Sequence, residues 1–179
     1  MDYASLVDFT MPDISIKGPM TKRKLILANF TPYRVSRLDN EISAVFQRMY
    51  ASVFKLSVPQ WRMLAASHQL QPTTVSELTQ YSAMEKMTVA RAITDLESNG
   101  LVSRSVDKED RRRTLIKLTG RGAEVYDQIS ELGLQFEDEL LSVLSEEEIE
   151  RFKDITSRLV DKIALMRNGS EAIFAEPRR

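Results

Sequence analysis

The chain has no cysteine and a single histidine, His68, in 179 residues. These absences exclude a disulfide framework, a cysteine-based zinc site and a thiol sensor, and leave no histidine cluster for a metal. No apolar run reaches the ~18 residues that a membrane span needs. The opening stretch MDYASLVDF lacks the basic n-region and apolar core of a signal peptide. A soluble cytoplasmic protein is expected. No Gly-x-Ser-x-Gly, P-loop or His-Glu-x-x-His sequence occurs. The carboxylate clusters Glu137-Asp138-Glu139 and Glu146-Glu147-Glu148 stand on helix faces or at a helix start, without a nucleophile or partner base. The residues therefore argue against an enzyme, and no cofactor is expected. Global charge is also uninformative, at −1 with a pI near 6.0.

What the chain does contain is ordinary globular composition, 42% apolar and 28% charged, of a length that suits one domain. Its centre is Thr74–Thr119. Thr74 and Glu77 have the spacing of a capping box, in which each side chain satisfies a backbone N–H of the other. Val75, Leu78 and Tyr81 continue as one stripe, and Ser82-Ala83 make a short connection. A second helix is predicted over 85–99, with Val89, Ala92, Ile93 and Leu96 on its buried face and Lys86, Thr88, Arg91 and Asp95 opposite. Gly100 supplies the left-handed stop. Two helices with a short connection, the second presenting Lys, Thr and Arg near its start, form the helix-turn-helix pattern.

Two strands are expected next, from Leu101 and from Leu115, around the tip Asp107-Lys108-Glu109-Asp110-Arg111-Arg112-Arg113. Seven consecutive charges cannot be buried, so this is a solvated hairpin, a wing spanning 104–114. Between Leu101 and Ala123, seven basic and three acidic residues give a local charge of +4 against −5 for the remainder. A basic wing on an acidic body can still orient itself on DNA. Thr73 is placed as a one-residue pairing partner of the wing sheet.

These residues resemble the MarR family of bacterial transcription regulators. The resemblance spans roughly Thr31 to Met166. It rests on D-x-x-D-x-R followed by L-x-K-L-T-x-x-G (Asp107, Asp110, Arg112, Leu115, Leu118, Thr119, Gly122) and on the helix MEKMTVARAI. Glu109 departs from the pattern, which often has a basic residue there. The resemblance implies a mainly α fold: a winged helix-turn-helix lobe with a small antiparallel sheet, and terminal helices that form a dimerisation lobe. It implies a homodimer on a pseudo-palindromic double-stranded DNA operator, usually released by a small ligand; the missing cysteines remove the oxidation-sensing branch. It assigns Arg112 to the minor groove, with Asp110 fixing its side chain. Geometry adds Lys86, Thr88, Ala90 and Arg91 as base-facing positions, Thr74 and Ser76 as phosphate contacts, and Arg111 and Arg113 as flanking the backbone.

The remaining chain divides into an extension over 1–30, dimerisation helices over 31–55 and 120–166, a DNA-binding lobe over 57–119, and a tail over 167–179. Thr31 is expected to cap the first helix with Pro32 at N1, and Val35, Leu38, Ile42, Val45, Phe46, Met49 and Val53 form its stripe. Ser57 caps the next helix, whose core face is read as Trp61, Leu64 and Ala65. A long helix is expected to about Leu144. A second capping box, Ser145 with Glu148, opens a last helix striped by Ile149, Phe152, Ile155, Leu159 and Ile163. Such stripes have no partner within one small lobe, and a twofold dimer covers them economically.

Polar residues near the first two helices are the candidates for an effector. Arg34, Arg37, Asn40, Arg62 and His68 supply charge or hydrogen bonds, and Tyr33 and Trp61 supply aromatic walls, a set suited to a phenolic or aromatic carboxylate. The same arginines also read as surface ion pairs, and Arg62 and His68 lie on different faces of one helix. A winged-helix protein-interaction module and a ligand-independent DNA-binding protein are the alternatives; the basic wing argues against the first.

Overall fold

The computed structural model describes residues 24–167. Ile26–Ser142 forms one compact unit, and the helix beyond Val143 belongs to another; each is described by itself. A short 3-10 turn (Leu27–Asn29) leads into α1 (Thr31–Phe54). The cap position of α1 is Phe30, not Thr31, and no side chain caps it. The turn hands its backbone directly to the helix: Phe30 N–H donates to Leu27 O and Phe30 O accepts from Arg34 N–H. Thr31 and Pro32 thus both lie inside the first helical turn. The extension expected over 1–30 lies outside the described residues up to position 23, and the tail expected from 167 lies outside them beyond Arg167.

Lys55, left-handed at φ 56°, ends α1. The chain re-enters helix as α2 (Val58–Leu70), where Ser57 and Gln60 form a capping box. α2 is central, touching α3 (Val75–Ser82), α4 (Lys86–Ser98), β2 (Thr114–Leu118) and α5 (Gly120–Leu141). That is why its buried set is wider than one stripe: Met63, Leu64, Ala66 and Ser67 are buried, while Trp61 and Ala65 are half-buried. The core joins these to Leu78, Val89, Ala92, Ile93, Leu96, Leu101, Val102, Ile116 and Ile129. Burying each large aliphatic chain among them contributes ~1.5–3 kcal/mol.

α4 closes with Gly100 N–H on Glu97 O and Leu101 N–H on Leu96 O, both 2.9 Å, with Gly100 at φ 68°. This Schellman pattern turns the chain straight into β1 (Val102–Val106). β1 pairs antiparallel with β2, Val102 opposite Leu118 and Val106 opposite Thr114. Thr73 bridges Ile116 on the other side of β2, as expected from the sequence. Thr119 caps α5, its hydroxyl accepting from Gly122 N–H at 3.0 Å. α5 ends at Leu141, three residues short of the expected Leu144, where Ser142 N–H turns back to Glu139 O.

The other unit contains α6 (Glu146–Arg167), opened by the expected box: Ser145 N–H donates to Glu148 at 2.8 Å and Glu148 N–H to Ser145 Oγ at 3.3 Å. Its Phe152, Ile155, Leu159 and Ile163 are 47–53% exposed. On α1, Val35, Leu38, Val45, Met49 and Val53 are also exposed, and the residue that α1 buries fully is Tyr50, edge-on to Phe46. Among the described residues, no helix is long and apolar enough to cross a membrane.

Candidate nucleic-acid interface

α3 and α4 each begin at a side-chain N-cap. At Thr74, the box with Glu77 closes both ways, Thr74 N–H to Glu77 at 2.8 Å and Glu77 N–H to Thr74 Oγ1 at 3.3 Å. Partial burial opposes ionisation of Glu77. The hydrogen bonds from Thr74 and Thr73 and the nearby Arg113 charge outweigh it, so its carboxyl sits below the usual glutamate range. Ala83 is left-handed at φ 53° and makes the tight connection. The cap of α4 is Glu85, whose carboxylate accepts from Met87 N–H and Thr88 N–H at 2.7 Å each. Those two N–H groups lower its pKa below the ordinary value.

The wing tip explains the spacing D-x-x-D-x-R. Asp107 accepts from Glu109 N–H and Asp110 from Arg112 N–H, both at 3.0 Å, so each aspartate closes a turn two residues ahead. Asp110 therefore holds Arg112 through its backbone; the expected grip on the Arg112 side chain is not the contact present. A carboxylate satisfying the tip's own N–H groups is geometrically nearer than one reaching out along a solvated guanidinium. Arg111 and Arg112 are left exposed at the tip.

Arg113 behaves differently. Its guanidinium lies 3.0 Å from Glu77 and 3.9 Å from Asp107, tying the wing to the start of α3. On the other strand, Arg104 reaches Thr94 Oγ1 at 3.0 Å and Glu97 at 3.3 Å, tying the wing to α4. The wing is thus braced on both helices of the helix-turn-helix.

This bracing gathers sequence-distant residues. Thr74, Ser76, Lys86, Arg112 and Arg113 line one groove of ≈ 590 Å³, with Glu77 at its wall. On α4 the outward face is Met87, Arg91 and Thr94; Thr88 and Ala90 are half-buried, and the Thr88 hydroxyl is hydrogen-bonded to Glu85 at 3.2 Å. Arg91 lines a second, smaller groove of ≈ 340 Å³ against the start of α2. Sequence reasoning overlooked Met87 (72% exposed), Thr94 and Arg104. Helical spacing i, i+4, i+7 through Met87, Arg91 and Thr94 carried that signal.

The effector candidates do not converge. Tyr33, Arg34 and Arg37 line a groove of ≈ 760 Å³ along the first half of α1. Asn40 is exposed outside it. Trp61 and Arg62 line another groove, and Arg62 is paired with Asp39 at 2.6 Å and with Ser43 at 2.9 Å. His68 stacks on Tyr126, ring centroids 3.8 Å apart.

Comparison with known proteins agrees with this architecture. The model of the MarR family matches residues 56–114, from the start of α2 through the wing tip. The HTH-type transcriptional regulator YwoH of Bacillus subtilis is 36% identical over 102 residues, 57% of this chain and 74% of YwoH. The fold is that of the PcaV transcriptional regulator of Streptomyces coelicolor, solved with its natural ligand (TM-score 0.68, 22% identity, 78% of this chain and 97% of PcaV). It is also that of the Staphylococcus aureus MepR–DNA complex (TM-score 0.67, 24% identity, 75% of this chain and 98% of MepR). With helix-turn-helix, braced wing and sequence kinship in agreement, the chain belongs to the MarR family of winged-helix transcriptional regulators.

Proposed function

We propose that the protein is a homodimeric repressor that binds a pseudo-palindromic operator and leaves it when a small aromatic acid or phenol binds. The observation that carries the DNA reading is the groove joining Thr74, Ser76, Lys86 and Arg112. Hydroxyls and a helix N-terminus on one wall and cations on the other suit a sugar-phosphate strand, with Arg91 and its neighbours on α4 facing the major groove. Arg111 and Arg112, exposed at the tip, suit the adjacent minor groove and backbone. MepR, solved with DNA, shares the fold. The exposed apolar stripes of α1 and α6 support a dimer, because surfaces of that kind call for a partner in water.

Effector release is supported by the groove of ≈ 760 Å³ on α1, where Arg34 or Arg37 can pair with a carboxylate beside Tyr33. PcaV, solved with its natural ligand, has the same fold. Trp61 and His68 lie outside that groove and are assigned to packing around Tyr126. The deciding experiment is a titration of operator-like AT-rich palindromes at several salt concentrations, with sedimentation in parallel. Affinity that falls steeply with salt and a stable dimer are expected. Salt-insensitive binding, or none, points to a protein-interaction module; a stable folded monomer at micromolar concentration removes the dimer.

A further inference from the structure

Gln60 spans two elements with the two ends of one amide. Its Oε1 accepts from Ser57 N–H at 2.8 Å, completing the cap of α2. Its Nε2 donates to Asp95 Oδ2 at 2.9 Å, in the third turn of α4. Only an amide does both: a glutamate would cap α2 equally well but has no hydrogen to offer Asp95. Asp95 is four residues after Arg91 on the same side of α4, and the two line one groove with Gln60. An Asp and an Arg at i, i+4 are neighbours that pair when nothing else engages them. Yet Arg91 has no ion pair among the described residues. Asp95 is half-buried and turned to α2.

From this we infer that Gln60 is a positioning residue for DNA recognition: it holds the Asp95 carboxylate against α2 so that Arg91 stays available to the major groove. The inference rests on the base-facing role proposed for Arg91. Arg91 itself touches DNA in that reading, while Gln60 acts through Asp95.

The test uses the full-length protein with Gln60→Glu, Asp95→Asn, the double variant and Arg91→Ala, titrated against operator and against operator substituted at the Arg91 base pair. Gln60→Glu keeps the cap but repels Asp95 towards Arg91. It is expected to lower operator affinity about tenfold and to flatten discrimination at that base pair, since a bidentate guanine contact is worth ~1–3 kcal/mol. In the double variant the carboxylate introduced at position 60 is held by Ser57 N–H and by the amide introduced at position 95, and no carboxylate remains four residues after Arg91 to capture it. Its net charge equals that of the wild type, so non-specific phosphate attraction is matched. Affinity and discrimination within about threefold of wild type are expected, since a factor of ten corresponds to 1.4 kcal/mol. Thermal melts establish that the variants are folded at the assay temperature. A double variant as weak as Gln60→Glu overturns the inference, as does a Gln60→Glu protein that discriminates like wild type while Arg91→Ala does not. If Arg91→Ala itself keeps full discrimination, the base-facing role of Arg91 is what fails.

Discussion

Gly122 is the position where one added methyl group tests the junction between wing and flanking helix. It lies in the first turn of α5, and a Cβ built there falls well inside the contact distance of Leu101 O, 2.9 Å from Leu101 C and 3.3 Å from its Cα. All three atoms are backbone, so no rotamer change relieves the clash. The two backbones must separate by on the order of 1 Å or more to restore a C···O distance of ~3.3–3.6 Å. Overpacking of this kind costs ~1–3 kcal/mol, and more when backbone must move. The same Leu101 O accepts from Thr119 N–H at 3.0 Å and from Thr119 Oγ1 at 3.3 Å. Weakening both adds ~1 kcal/mol each. Gly122→Ala should therefore lose about 3–5 kcal/mol of a stability of ~5–15 kcal/mol. At a mid-range urea slope of about 2 kcal/mol/M, the unfolding midpoint falls by about 1.5–2.5 M. The control is Gly120→Ala, whose Cβ meets nothing within 4 Å. It should stay within ~0.5 kcal/mol of wild type or gain slightly. A Gly122→Ala midpoint within about 0.5 M of wild type, at unchanged slope, would refute the close approach of α5 to the wing root.

Four further outcomes are expected. Arg112→Ala should weaken operator binding and relax an A·T preference outside the half-site core, whereas Arg91→Ala should flatten one base pair per half-site by ~1–3 kcal/mol; position-by-position titration separates them, and unchanged affinity in Arg112→Ala removes the wing from the interface. Asp110→Ala should reproduce part of the Arg112 loss, because the turn that presents Arg112 is then unrestrained. Arg34→Ala should abolish effector release while basal operator affinity stays unchanged, and a wild-type response to aromatic carboxylates would displace Arg34 as the anchor. Tyr50, whose hydroxyl is pushed up to about 12 by burial against a smaller opposing pull from Arg62, should ionise late. Its folded state keeps the proton between pH 10 and 12 while the unfolded chain loses it, so stability is full below about pH 10 and falls as pH rises through that window. Tyr50→Phe should flatten the fall, measured by denaturation at each pH; an identical pH dependence would count against Tyr50 as the titrating group.

What the sequence determined by itself is local. The boxes Thr74/Glu77 and Ser145/Glu148, the Gly100 stop and the period of Val89, Ala92, Ile93 and Leu96 are each written within a few residues, because caps and helical faces depend on neighbours three or four apart. The seven-charge tip had to be solvated whatever surrounded it, so the wing was legible as well. The tertiary structure alone decided what depends on residues distant in sequence. The partner of Arg113 is Glu77, 36 residues away, and that of Gln60 is Asp95, 35 away. No periodicity reports such pairs. Tyr50 lies off the expected α1 stripe yet is buried, because the fold brings Trp61 of α2 against its ring beside Phe46. The same holds for the α2 core, where contact with four elements buries Met63 and Ser67 beyond any single stripe. Asp110 shows the division within one residue: its type and spacing were legible, but only the folded tip settles that its carboxylate takes a backbone N–H, because that donor lies two residues ahead inside the turn that Asp110 itself closes.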